Sequence, residues 1–205
     1  MKPITLFLAV FVLFTACKTN TELIETKNDN GYTIKYYQKK DNQLKHGLYQ
    51  MFYSDGQIFE EANYQEGELH GERKIFYKNG KVDQLETYAN GKYEGPVIKY
   101  FEDGKIQQEG TYINNVMVGE LKSFYPSGQV KDISIVADNS LNGAFTEYYA
   151  NGKIKAEGTF KDDKEEGELK EYDETGELVR KANCTKGVCR STWTKEKGDI
   201  KPSSN

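Results

Sequence analysis

A chain of 205 residues with net charge −4 and mean hydropathy −0.79 is long enough for one sizeable domain or two small ones, and excludes a polytopic membrane protein. Its 13% aromatic content excludes a simple disordered tail, and 28 Lys and Arg against 32 Asp and Glu argue against a nucleic-acid partner. Glycine at 19 against proline at 4 points to many tight turns and little polyproline structure.

The chain opens with Lys2 followed by an apolar run from Ile4 to Phe14, broken only by Thr5. Such a run is about half of the ~20 residues that span a bilayer, so residues 1–16 read as a targeting segment rather than a membrane anchor. It ends in Phe14-Thr15-Ala16-Cys17, which resembles the lipobox of bacterial lipoproteins, with Phe14 in place of the usual aliphatic residue. The resemblance implies cleavage before Cys17 and acylation of its thiol. It also implies an exported protein held on a membrane of the bacterial envelope, on the periplasmic side or at the cell surface. An ordinary secretory signal with an incidental cysteine is the alternative. Residues 17–30 then read as the lipidated cysteine and a polar tether.

From there the chain repeats. Gly47, Gly71, Gly95, Gly119, Gly143 and Gly167 are spaced by 24, as are Gly56, Gly80, Gly104, Gly128, Gly152 and Gly176. A third column holds Gly67, Gly91, Asn115, Asn139, Asp163 and Gly187, all residues that tolerate a left-handed backbone. Aromatic pairs precede the second glycine column: Phe52-Tyr53, Phe76-Tyr77, Tyr100-Phe101, Phe124-Tyr125, Tyr148-Tyr149 and, broken, Tyr172-Asp173. After it come an aliphatic column, a small column (Ala62, Gly110, Ser134, Gly158, Ala182) and an aromatic column, separated by even numbers and so sharing one strand face.

Each unit therefore reads as strand, turn, strand, turn. The first spans about Leu48 to Tyr53, the turn Ser54-Asp55-Gly56, Gln57 to Tyr64, and a loop from Gln65 to His70. Residues 31–46 form a degenerate leading half-repeat, residues 47–190 six repeats, and residues 191–205 a C-terminal cap and frayed tail. Twelve strands at ~4.8 Å make a sheet roughly 58 Å along its stacking axis.

The motif Tyr77-Lys78-Asn79-Gly80-Lys81 followed by Tyr88-Ala89-Asn90-Gly91-Lys92-Tyr93-Glu94-Gly95 resembles the MORN repeat variant of bacterial proteins. The same pattern occurs in the YwqK-type family of antitoxin components. The resemblance implies an all-β fold in which tandem 24-residue hairpins form one elongated, twisted antiparallel sheet.

Apart from Cys17, the only cysteines are Cys184 and Cys189, whose four-residue separation suits opposed positions on a hairpin. An oxidising compartment favours a disulfide there. A metal site is disfavoured, because His46 and His70 are the only histidines and sit one repeat apart with no third ligand. The nine carboxylates between Asp162 and Glu177 lack calcium-loop spacing and read as a solvated acidic face. No Gly-x-Ser-x-Gly, phosphate loop or dinucleotide fingerprint occurs, so neither an enzyme nor a cofactor is expected.

In a strand, adjacent residues point to opposite faces. Tyr53, Tyr77, Phe101, Tyr125 and Tyr149 thus make a stripe opposite Phe52, Phe76, Tyr100, Phe124, Tyr148 and Tyr172. Cross-strand packing accounts for either ladder, while an exposed tyrosine-rich stripe would grip a protein or a glycan. The leading expectation is a non-enzymatic, lipid-anchored scaffold or binding surface for a macromolecular partner. The alternatives are a YwqK-type antitoxin or immunity component that neutralises a toxin, and binding of cell-wall glycan.

Overall fold

The computed structural model describes residues 20–200. The leader over 1–16, Cys17 and the end of the tail over 201–205 lie outside the described residues. Among the described residues every regular element is a strand. The first half comprises β1 (Thr21–Lys27), β2 (Thr33–Lys39), β3 (Lys45–Phe52), β4 (Ile58–Gln65), β5 (Glu68–Phe76), β6 (Val82–Ala89), β7 (Lys92–Tyr100), β8 (Ile106–Ile113) and β9 (Val116–Phe124). The second comprises β10 (Val130–Ala137), β11 (Ser140–Tyr148), β12 (Ile154–Lys161), β13 (Lys164–Glu165), β14 (Gly167–Tyr172), β15 (Leu178–Thr185), β16 (Val188–Thr194) and β17 (Gly198–Asp199).

Apart from β13 and β14, each strand pairs antiparallel with the next along the chain, so the described residues form one long open meander of the predicted all-β class. Strands β13 and β14 are one interrupted strand, both lying against β12. Taken together, β3 to β15 form the predicted run of repeat hairpins, and β1, β2, β16 and β17 extend the sheet at its ends.

Two turn chemistries alternate. In the first, Tyr53 N–H donates to the Gln57 carbonyl at 2.8 Å and Gly56 N–H to the Tyr53 carbonyl at 2.9 Å, with Gly56 at φ +84°. This is a three-residue loop whose last position needs a left-handed backbone, which is why the second glycine column is invariant across the units. The side chains of Asp55, Asn79, Asp103 and Asn151 each accept the backbone N–H two residues on, closing the same loop from inside.

The second turn has two residues, both at positive φ, such as Glu66-Gly67, Asn90-Gly91, Asn114-Asn115 and Asp138-Asn139. That is the two-residue hairpin whose twist matches the strands, and it uses the third column as its second position. Where the column holds Asn or Asp, the side chain has a further task. The Oδ1 atoms of Asn115, Asn139 and Asp163 accept the backbone N–H groups of Tyr93, Met117 and Leu141 at 2.7, 2.8 and 2.7 Å. Their own N–H groups donate back to the same three residues' carbonyls. Each turn is thereby clamped to the preceding unit. Asn139→Gly keeps the backbone and removes the clamp, so a loss of about 1 kcal/mol is expected. Asn139→Ala adds left-handed strain of about 1–2 kcal/mol. Denaturant unfolding and hydrogen exchange at the Met117 amide check both.

Three sequence expectations are corrected here. The loop proposed over Gln65 to His70 is only Glu66-Gly67, and β5 already begins at Glu68. The first glycine column therefore lies inside strands rather than in turns. Gly71 sits where the pairing slips between Ala62↔Arg73 and Tyr64↔Leu69, a bulge that lets one strand carry extra residues. The polar tether over 17–30 contains strand β1. Thr21–Lys27 pairs along its full length with β2, and Glu25 meets Lys35 at 3.2 Å. Polarity misled because an edge strand needs backbone partners and cross-strand charge pairs, not a buried face. In the tail, Gly198–Asp199 folds back on Trp193 and Thr194, so the chain stays paired through residue 199. Trp193 opposes Lys181, and the register slips between Lys181 and Ala182.

Only nine apolar residues are buried, and no second layer covers either face among the described residues. Burial arises by interleaving large and small side chains on one face. Leu121 pairs with Ser134, Phe145 with Gly158 and Leu169 with Ala182. A Cβ built on Gly158 would stand 2.9 Å from the Phe145 ring, and one on Gly110 3.2 Å from Leu121 Cδ1. The small column is the space into which the large column of a neighbouring strand folds.

Candidate binding surface

One unit breaks the large-and-small rule. Arg73 and Glu86 occupy the large and small columns that hold Val97 with Gly110 and Phe145 with Gly158 in other units. Arg73 Nη1 donates to Glu86 Oε2 at 2.7 Å and Nε to Glu60 Oε1 at 2.7 Å. Glu86 also accepts Tyr88 Oη at 2.9 Å, Tyr93 Oη at 3.0 Å and Gln84 Nε2 at 2.7 Å. Glu60 and Glu86 are buried, and the rings of Tyr88 and Tyr93, whose hydroxyls both reach Glu86, lie 4.5 Å apart at a tilt of 31°. Sequence reading missed this cluster. Its signal was legible all the same: two opposite charges in columns otherwise apolar or small.

Beside the cluster, Lys45 lies 5.1, 4.7 and 4.8 Å from the ring centres of Tyr36, Tyr49 and Tyr64. Burial lowers the pKa of its ammonium, partly offset by the Glu60 carboxylate. The same surroundings, burial first and Glu60 next, push the Tyr49 hydroxyl up to about 12. Tyr77 is raised to about 12 by burial and then by Asp83. A tyrosine whose folded pKa exceeds its unfolded value of 10.0 holds its stabilising effect below that pH and loses it as pH rises through the folded value. Stability is therefore expected to fall between pH 10 and about 12, and Tyr49→Phe with Tyr77→Phe should flatten that limb, read by circular dichroism against pH.

The five stripe residues do not lie on a strand face. Each follows the last residue of a strand and opens the three-residue turn, so the stripe runs along the turn edge of the sheet. Three of its hydroxyls reach the next unit: Tyr77 Oη donates to the Tyr100 carbonyl at 2.6 Å, Tyr125 Oη to Tyr148 at 2.7 Å, and Tyr149 Oη to Tyr172 at 2.8 Å. Asn79 and Lys81 donate to the carbonyls of Glu102 and Asp103 alongside. Tyr53 instead takes the Lys78 ammonium 3.9 Å over its ring, and Phe101 has no hydroxyl to donate. All five stripe residues are half-buried.

At the far end Cys184 and Cys189 form a disulfide across the β15–β16 pair, and Cys184 joins Phe145, Ala156, Leu169 and Ala182 in the main apolar cluster. His46 Nδ1 stands 3.4 Å from Glu66 Oε1, while His70 is exposed. The acidic run is largely engaged in local structure. Glu166 accepts the Lys186 N–H, Glu171 meets Arg180 at 2.9 Å, and Asp173 accepts the N–H groups of Thr175 and Glu177. The Thr175 hydroxyl and these N–H groups lower the pKa of Asp173.

Two shallow grooves indent the sheet. One is lined by Pro96, Ile98, Glu109, Val118, Glu120 and Lys122, with Lys122 held by Glu120 at 2.7 Å. The other, of about 500 Å³, lies between the third and fourth units, where Phe101 and Tyr125 flank it.

Six segments of the chain, residues 45–66, 69–90, 93–114, 117–134, 141–162 and 165–183, match a family model described as the MORN repeat variant. Together they cover more than half of the chain, and each runs from the start of one repeat strand to the two-residue turn or just short of it. No curated protein matches it.

Proposed function

The chain belongs to the MORN repeat variant family, and on that premise we propose that it is a non-enzymatic, lipid-anchored repeat protein of the bacterial envelope that serves as a binding surface for a macromolecular partner. The observation that carries the reading is the uncovered sheet: among the described residues, a single layer of strands has side chains on both faces and no second layer over either. A fold that needs no second layer keeps its whole surface for contact, and repeats multiply similar contacts along one axis. Envelope placement rests on the lipobox-like Phe14-Thr15-Ala16-Cys17.

Cross-linking and affinity capture from native membranes test the reading, with Cys17→Ala as the control for anchorage. Recovery of one stoichiometric partner that is lost when the sheet face is altered supports it. Continued membrane attachment of Cys17→Ala overturns the lipid anchor. A captured toxin whose lethality the protein suppresses would turn the reading towards the immunity role that the YwqK-type resemblance implies.

A further inference from the structure

Along the turn edge, the hydroxyl of one unit's stripe tyrosine closes onto the carbonyl of the next unit at Tyr77, Tyr125 and Tyr149. Phe101 occupies the same place without a hydroxyl, so this closure is missing onto Phe124. The groove opens at that gap. Its lining includes Phe101, Tyr125, Lys99, Lys131, Gln108 and Ser123. No carboxylate belongs to the lining, and Ser123 donates its hydroxyl to Asp132 at 3.1 Å.

From this arrangement we infer that the groove is a binding site for an anionic saccharide. Flat aromatic rings offer apolar platforms for the C–H faces of a sugar ring, while amide, hydroxyl and ammonium groups supply directional bonds to its hydroxyls. The charge selects within that class. Lys99 and Lys131 form no ion pair among the described residues, in a chain whose net charge is −4. Two unpaired ammonium groups in one groove match a carboxylate or phosphate carried by the sugar. The groove lined by Glu109, Glu120 and Lys122 has no such surplus, since Lys122 is already paired. The inference rests on the binding-surface reading above and names the ligand chemistry at one place on it.

The test uses the intact protein and soluble glycan fragments built on N-acetylmuramic acid, which carry a carboxylate. The neutral tetramer of N-acetylglucosamine and inorganic phosphate serve as separate probes, with titration calorimetry as the readout. The muramic fragment is expected to bind at least tenfold more tightly than either other probe. Phe101→Tyr lets a hydroxyl close the gap, and Phe101→Ala removes the platform; each should weaken binding tenfold or more. The melting temperature of Phe101→Tyr should equal or exceed that of the parent, which separates a closed groove from a damaged fold. Lys99→Gln with Lys131→Gln should erase the preference for the anionic fragment over the neutral tetramer. Absence of binding, binding unchanged in both Phe101 variants, or phosphate binding as tightly as the muramic fragment would each overturn the site. These outcomes leave capture of a membrane partner to be decided by its own experiment.

Discussion

Replacing Arg73 by Met is expected to destabilise the protein by about 3–5 kcal/mol, the range for breaking a buried ion pair from one side. The guanidinium bridges Glu60 and Glu86 through two bonds of 2.7 Å, and the Glu86 side chain keeps only 3% of its surface in water. Without Arg73, Glu86 retains three donors, from Gln84, Tyr88 and Tyr93, but no cation. The Arg73 pKa is raised within the cluster, where its bonds to the two glutamates outweigh the opposing effect of burial. The double replacement Arg73→Met with Glu86→Gln removes charges of both signs and should recover more than 1 kcal/mol relative to the sum of the single losses. Urea unfolding of the four proteins measures the coupling. Additive losses would show that the two side chains do not depend on each other.

Gly143→Ala is expected to cost about 2–4 kcal/mol, from strained backbone plus overpacking. Gly143 has φ +141°, and a Cβ there would stand 2.8 Å from Ile135 Cβ and 3.0 Å from its Cγ2. Neither of those atoms is the free end of a flexible chain, so the strand itself would have to yield. Gly119 is the control. It occupies the same repeat column at φ +82° but has open space where its Cβ would go, so Gly119→Ala should cost only the backbone strain of about 1–2 kcal/mol. Unfolding in a repeat array need not be all-or-none, so hydrogen exchange in β10 and β11 should accompany the global measurement. Equal losses at both positions would mean that crowding against Ile135 contributes nothing.

Much of the architecture is legible in the spacing of the glycines. The second column predicts the turn at Gly56 and its equivalents, and the third predicts left-handed residues that include Asn115 and Asn139. These are single-residue backbone demands, and a side chain either tolerates positive φ or does not. The first column was harder, because a glycine in a bulge and a glycine in a turn have the same signature in one sequence. Only the pairing slip between Ala62 and Tyr64 distinguishes them. Strand β1 was hidden for a related reason: Thr21–Lys27 acquires its conformation from β2 through backbone bonds that leave no apolar pattern.

The stripe shows the division most clearly. Its composition was plain from the repeat, but strand alternation placed it on a face, whereas each stripe residue stands one position beyond its strand. There the hydroxyls of Tyr77, Tyr125 and Tyr149 bind the next unit. The absence of a hydroxyl at Phe101, an ordinary conservative change in the sequence, becomes a gap between two units only once the ladder is seen.

By itself, then, the sequence determined the repeat length, the strand-turn-strand-turn rhythm and the open all-β array, because these follow from local backbone requirements repeated every 24 residues. The tertiary structure alone decided which columns meet across strands. It placed Arg73 between two glutamates, turned the first glycines into bulges and opened a groove beside Phe101. Those outcomes depend on cross-strand register, which a slip of one residue reverses and which no single strand encodes.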